Sequence, residues 1–345
     1  MIFIFQKDKL MAGILDYFRY IWKKKTTMTQ EINILSLFDG MSCGQIALNR
    51  MGFNYNNYFA SEIEKLSMAV TMHNFPDTKQ IGSVLDIDAK TLPKIFLLMG
   101  GSPCQSFSMA GKKKGMSTKD DVEVLTLEQY LELKEQGFEF EGQSYLFWEY
   151  VRLLKETNPT FFLLENVEMD KKWEKIITDT LGVKPILINS NLVSAQNRKR
   201  LYWTNIPVDG LPEDKGLTIK DVIFDNTYKV FTDERITKTK KRTKNYIKFD
   251  LSGKGYWSQQ DRAYYMDGKM CTMPKANPNN KLNIVLDEAN DIYRRIHPVE
   301  AERLQTVGDG YCTNVPNIKE TKILEMLGNG WTVDIIVFIF SFMKK

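Results

Sequence analysis

The chain has 345 residues, 43% of them apolar and 26% charged, which is the balance of an ordinary globular protein with room for a large domain and a smaller one. Its net charge is only +4, so any attraction to a polyanion has to come from a local basic face. The four cysteines, Cys43, Cys104, Cys271 and Cys312, stand far apart without a CxxC pair, and His73 and His297 are the only histidines. This argues against a disulfide framework, a zinc site or a histidine-based nucleophile, and for a reducing compartment.

Residues 1–30 begin apolar, but Lys7, Asp8, Lys9, Asp16 and Arg19 interrupt the run. The uncharged span is too short for a membrane helix and lacks the core and cleavage site of a secretory signal, so no function is assigned to it. Residues 32–38 read as a buried strand running into Asp39-Gly40-Met41-Ser42-Cys43-Gly44 and then a helix over 45–51. Strand, glycine turn and helix open a nucleotide-cofactor fold, although the spacing is not GxGxxG. A second strand over 58–61 is followed by Glu62, an acid placed to bind ribose hydroxyls, while Ser61 and Glu64 have the spacing of a helix N-cap pair. Helix is expected over 65–74, and a third short strand or turn over 81–87.

The apolar run 95–99 stops at Gly100-Gly101-Ser102-Pro103-Cys104, which reads as a buried parallel strand. Cys104 then lies just past a carboxyl end, where ligands of open α/β sheets bind. The alternative for this thiol is a small buried hydrophobe. Residues 109–121, with Lys112-Lys113-Lys114, read either as a basic flap or as a solvated loop. Helices are expected over 125–136 and 145–156, the second with Leu146, Trp148, Val151 and Leu154 as its apolar stripe. Strand 160–164 ends in Glu165-Asn166-Val167, and a carboxylate there is costly unless solvated or functional. After a strand over 186–190, Arg198 and Arg200 share one face of an extended segment, so both guanidinium groups can converge on one phosphate or base carbonyl.

From residue 207 to about 286 apolar runs are few. Basic residues, Lys240, Lys241 and Arg242 among them, interleave with aromatics such as Tyr256 and Trp257, as a nucleic-acid-facing module requires; a loop insertion is the alternative. A helix entered through Pro298 follows, then a helix over 319–327 broken at Gly328-Asn329-Gly330-Trp331, and a closing apolar helix over 332–342.

Taken together and in this order, these motifs resemble the DNA (cytosine-5) methyltransferases. Phe38-Asp39-Gly40 with Gly44 is similar to the family's cofactor motif, Pro103-Cys104-Gln105 to its catalytic loop, and Glu165-Asn166-Val167 to its acid motif. Gln196-x-Arg198-x-Arg200 resembles its arginine motif, and Arg303-Leu304-Gln305 and Gly328-Asn329-Gly330 its two closing motifs. Gly100-Gly101-Ser102-Pro103-Cys104, Trp203 and Trp331 look most like the de novo branch and its phage and bacterial relatives. One departure stands out: where the family often places an acid on the adenine amino group, this chain has Ser83, with Asp86 as a substitute nearby.

The resemblance implies an α/β fold, a Rossmann-like mostly parallel sheet with helices on both faces, plus a small target-recognition domain. The expected division is a 1–30 extension, a 31–206 catalytic and cofactor-binding domain, a 207–290 target-recognition domain, a 291–318 connecting motif and a 319–345 return helix. It implies methyl transfer from S-adenosylmethionine to carbon 5 of cytosine in double-stranded DNA, on a base flipped out of the helix. Cys104 is the nucleophile at carbon 6, Glu165 holds ring nitrogen 3 and the amine, Arg198 takes the base carbonyl, and Arg200 positions the cysteine loop. Phe38, Asp39, Gly40, Met41, Cys43, Gly44, Glu62, Ile63, Ser83, Val84, Leu146, Asn329, Gly330 and Trp331 are assigned to the cofactor. Ser102, Pro103, Gln105, Asn166, Val167, Lys240, Lys241 and Arg242 are assigned to base or DNA. No metal, no membrane, a monomer and the cytoplasm of a bacterial or phage-infected cell are expected. Two other classes compete. A catalytically silent DNA-binding relative should lack the cysteine or the acid, and a nucleotide-dependent oxidoreductase leaves Cys104 and the arginines idle.

Overall fold

In the computed structural model the described residues are 31–103, 117, 119–120, 122–140, 142–250, 261–274 and 282–343. Cys104, Gln105, the lysines at 112–114, Tyr256, Trp257 and the 1–30 extension lie outside them. Residues 33–345 make one compact unit.

Its first layer is built from β1 (Asn33–Leu37), α1 (Cys43–Arg50), β2 (Asn57–Ser61), α2 (Lys65–Asn74), β3 (Lys79–Gln80), β4 (Leu97–Gly100), α3 (Leu127–Glu135), α4 (Phe147–Thr157), β5 (Phe161–Asn166), α5 (Lys171–Leu181), β6 (Ile186–Asn189) and β7 (Lys199–Thr204). The sheet order is β3-β2-β1-β4-β5-β7-β6. All pairings are parallel except those of β7, which runs antiparallel to both β5 and β6. Strands β1 and β4 are buried at every position, which is why they read as largely apolar runs. The expected α/β sheet is present. The expected third strand sits earlier, at β3, and residues 84–86 form a 3-10 turn in which the Ser83 hydroxyl accepts from the Leu85 amide at 3.2 Å.

A second sheet follows: β8 (Val230–Phe231), α6 (Glu234–Thr239), β9 (Lys241–Arg242), β10 (Tyr246–Lys248), β11 (Arg262–Tyr264), β12 (Asn283–Asp287) and β13 (Ile292–Arg295), in the order β8-β13-β12-β11-β10-β9. Ile236, Ile247, Phe249, Ala263, Val285 and Tyr293 form its small core. Because β13 pairs with β12 and β8, this sheet extends past residue 290, where the small domain was expected to end.

The chain closes with α7 (Pro298–Leu304), α8 (Glu320–Asn329) and α9 (Val333–Phe340). Pro298 opens α7 as expected, behind a capping box made by His297 and Glu300. α8 continues through Asn329, so the break falls at Gly330 to Thr332 and not at Gly328. Residues Glu320–Phe340 are long and apolar enough to cross a membrane, but they are two helices, and α9 packs on α1. Arg50 fastens that return by donating to the Thr306 carbonyl at 2.8 Å and pairing with Asp334.

Candidate active site

The carboxyl ends of β1, β2, β4 and β5 open on one cavity of about 860 Å³. On its first side, the turn after β1 places Phe38, Gly40 and Ser42 at φ 55°, 58° and 60°, so every second residue is left-handed. Asp39 anchors this turn: its amide reaches the Ser61 carbonyl at 3.1 Å, and its carboxylate accepts from Tyr58 at 2.7 Å and from Ser42. Burial pushes the Asp39 carboxyl up to about 6, against the hydrogen bonds that lower it.

Glu62 is oriented by three main-chain amides, Gly40 on Oε2 at 2.7 Å, and Ile63 and Glu64 on Oε1 at 2.7 and 2.8 Å. An ionised carboxylate offers about four acceptor sites, so hydroxyl groups can still bind. The N-cap pairing of Ser61 with Glu64 does not form, because Ser61 donates to the Gly82 carbonyl at 2.8 Å and α2 starts without a side-chain cap. Ile63 is 69% exposed, and with Phe38, Val84 and Leu146 it makes an apolar slot for a flat ring. Ser83 is on the wall. Asp86 is exposed and off it, so no acid replaces the missing adenine partner there.

On the second side stands Glu165, only 9% exposed at the end of β5. Arg200 meets its Oε1 through Nε at 2.9 Å, and the Trp331 indole N–H donates to Oε2 at 3.0 Å. Gly101 has no room for a side chain: a Cβ would lie 2.9 Å from Glu165 Oε2 and 3.0 Å from Trp331 Nε1. Asn166 donates to the Ser102 carbonyl and hydroxyl at 3.2 and 3.1 Å, which binds the chain leading through Pro103 to the strand carrying the acid. Ser102, Pro103, Asn166 and Val167 all line the cavity.

Arg198 departs from expectation. Its Nη2 donates to the Gly330 and Gly328 carbonyls at 2.8 and 3.1 Å, and Nη1 to Met273 at 3.5 Å, leaving little of the buried guanidinium for a base carbonyl. Burial, reinforced by Arg200, pushes its pKa down to about 9. Period two correctly put both arginines on one site, but main-chain carbonyls claim the first. Arg200, whose Nη1 takes only the Lys199 carbonyl at 2.7 Å, is the more available one.

Gly330 lies against the first side, where a Cβ would meet Met41 Cε at 2.8 Å and Cys43 Sγ at 3.2 Å. Asn329 and Trp331 share the wall with it, and Met41 and Cys43 line it as expected. Burial pushes the Cys43 thiol up to about 12, so it stays protonated and is no nucleophile. Gly44 is not on the wall; it makes room for Met99, whose Sδ and Cε would lie 2.5 Å from a Cβ.

The closing motifs are wired to the arginine motif. Gln196 Oε1 accepts from the Met273 amide at 2.8 Å, and Gln305 donates to the Leu327 carbonyl at 2.5 Å and accepts from Thr332 at 2.9 Å. The same wiring brings in wall residues that sequence reasoning missed, Thr272, Met273 and Pro274. Nothing local marks them; main-chain bonds between Met270 and residues 195 and 197, both 2.8 Å, carry them there. Lys240 and Arg242 are off the cavity and each holds an acid, Lys240 Asp291 at 2.8 Å and Arg242 Glu288, while Lys241 is exposed. Among the described residues no group of histidine, cysteine or acidic side chains could hold a metal.

Residues 32–345 match the model of a family described as C-5 cytosine-specific DNA methylase. The chain is 33% identical over 192 residues to the orphan methyltransferase M.SPRI of Bacillus phage SPR, covering 52% of this chain and 38% of that one. It is 30% identical over 246 residues to M.Rho11sI of Bacillus phage rho11s, covering 67% and 42%. It therefore spans about four-tenths of the length of these phage relatives. A longer match, 27% over 350 residues, covers 89% of this chain and 77% of the type II methyltransferase M1.ScrFI of Lactococcus lactis. In fold, a Spodoptera frugiperda DNMT2 variant superposes with a TM-score of 0.63 at 17% identity, covering 90% of this chain and 99% of its own. Entamoeba histolytica EhMeth gives 0.64 at 16%, covering 92% and 100%.

Proposed function

Because the chain belongs to the C-5 cytosine-specific DNA methylase family, we propose that it transfers a methyl group from S-adenosylmethionine to carbon 5 of cytosine in duplex DNA. The observation that carries this reading is the pairing of two subsites in one cavity, a carboxylate set by amides beside an apolar slot, and a buried carboxylate held by an arginine and an indole.

The first subsite fits an adenosine. Glu62 would accept from the ribose hydroxyls, Ile63, Val84 and Leu146 would sandwich the ring, and the turn from Phe38 to Met41 would lie along the amino-acid end. S-adenosylmethionine supplies an electrophilic methyl on a sulfonium. The second subsite fits a pyrimidine. Carbon 5 of cytosine is a poor nucleophile until a thiolate adds to carbon 6, and Cys104, one residue beyond Pro103 in sequence, would supply that sulfur. Glu165 would hold a proton at ring nitrogen 3 as electrons move into the ring, and Arg200, not Arg198, would face the base carbonyl. Loss of the carbon 5 proton after methylation would return the electrons that break the Cys104–carbon 6 bond and free the thiolate. Arg198 would instead position the Gly328 to Gly330 turn. Extruding the base costs a few kcal/mol, offset by these contacts.

The small sheet would serve as the target-recognition module. The phage and bacterial sources of the relatives support a bacterial or phage-infected cytoplasm as the setting. Bisulfite sequencing of DNA from cells expressing the chain should reveal one recurring protected cytosine context. Cells expressing Cys104→Ala should show none. Full conversion with the wild-type chain, or equal protection with the variant, would overturn the reading.

A further inference from the structure

Two neighbouring inner strands of the small sheet, β10 and β11, carry a pair of cations that has no ion pair among the described residues. Ile247 of β10 and Ala263 of β11 point into the small core, so Tyr246 and Lys248, with Arg262 and Tyr264, occupy the opposite face. Tyr246 sits directly across from Tyr264, and Lys248 directly across from Arg262. Both cations gather on one ring: the Arg262 guanidinium is 4.8 Å and the Lys248 ammonium 6.0 Å from the centre of Tyr246, which is 5.3 Å from the ring of Tyr264. Like charges directly opposed across an antiparallel pair are destabilising.

Elsewhere the protein neutralises or occupies its arginines. Every other described arginine donates to a carboxylate, a carbonyl or an amide oxygen. Among the described residues neither Arg262 nor Lys248 has an ion pair. Residues 251–260 and 275–281 contain no Asp or Glu. Tyr264 is only 2% exposed, with its hydroxyl set beside the Cys271 thiol and Arg262, so the part of this face open to a ligand is Tyr246, Lys248 and Arg262. The chain then continues from Tyr264 to Thr272 on the cavity wall.

We propose that the face carrying Tyr246, Lys248 and Arg262 is the DNA-reading surface of the small sheet, with Arg262 the specificity-determining residue that reads a guanine edge and Lys248 a phosphate contact. This rests on the DNA-methylating reading above. A guanidinium held over a tyrosine ring is preorganised, and its fork matches the two acceptors of guanine in the major groove. A polyanion also supplies the negative charge that the Lys248–Arg262 pair lacks. The basic run ending at Arg242 is a poorer candidate, since Lys240 and Arg242 already hold acids.

The test combines methylation mapping with equilibrium binding to the mapped duplex and to a random duplex. Arg262→Gln should relax the methylated context at one position and lower the preference for the mapped duplex by about 10-fold. Lys248→Gln should weaken both duplexes alike, reduce the salt dependence by about one counterion, and leave thermal stability equal or higher. An unchanged context and preference in Arg262→Gln, or a uniform loss on both duplexes, would overturn the assignment. If the wild-type chain binds DNA but methylates nothing, the catalytic reading fails, and the face is decided on the random duplex alone, where Lys248→Gln should still weaken binding and lower the salt dependence; unchanged binding there would overturn the face.

Discussion

Glu165 is gripped by two donors of different kinds, and they come from opposite ends of the fold: Arg200 from β7 and Trp331 from the turn between α8 and α9. The indole also reaches the first turn of α1, lying 3.5 Å from where a Cβ on Gly44 would stand. Trp331→Phe keeps the ring and removes the N–H, so kcat should fall by about 10-fold to 100-fold, the worth of one hydrogen bond to a charged group, with KM for the methyl donor near that of the wild type. Steady-state kinetics with the donor varied checks this; an unchanged kcat would make the contact incidental. Asp39 gives a prediction of a different kind. Its folded pKa of about 6 exceeds the ordinary 3.8, so the native state holds the extra proton between these values. Stability from this group is therefore present below about pH 4 and is lost as pH rises to about 6. Asp39→Asn should flatten that part of the curve in urea titrations, and parallel curves for the two proteins would contradict it. Glu165 was legible in the sequence because a charge directly after an apolar run is anomalous. The different tasks of Arg198 and Arg200 were not, since alternation tells which face a side chain takes but not which carbonyls reach it first.

Elements follow the same division. β1, β4 and β5 are buried at nearly every position and mostly apolar, as strands covered on both faces are, so their runs could be read directly. The small sheet could not, because strands of two to five residues present single apolar side chains, such as Ile247 and Ala263, to a core of only a few residues. One buried pair holds the seam between β13 and α7: Arg294 reaches both oxygens of Glu300 at 2.7 and 2.9 Å, with the two side chains 0% and 1% exposed. Glu300 also accepts from the Phe224 and His297 amides, both at 2.9 Å, so it ties strand, helix and the preceding loop together. Arg294→Met leaves that carboxylate buried without its cation and should cost about 3–5 kcal/mol in chemical denaturation. A loss under about 1 kcal/mol would mean that the amides alone suffice.

Across the whole molecule, the chain's last forty or so residues complete a cavity that its first strands begin, as Gly330 against Met41 and Trp331 against Glu165 show. The order of motifs along the sequence anticipated that return, because residues so far apart can serve one reaction only if the fold closes on itself. The location of the basic face was not anticipated. Counting charges found the run at Lys240 to Arg242, whereas two acids of the β12–β13 turn pair with two of its members. The central claim, a thiolate of Cys104 adding to carbon 6 of an extruded cytosine, is tested most directly by trapping. A duplex carrying 5-fluorocytosine at the methylated position, incubated with the chain and S-adenosylmethionine, should form a denaturation-resistant adduct, and peptide mapping should place the DNA on Cys104. Methylation of ordinary cytosine by a chain that forms no such adduct, or an adduct mapped to Cys43, Cys271 or Cys312, would contradict it.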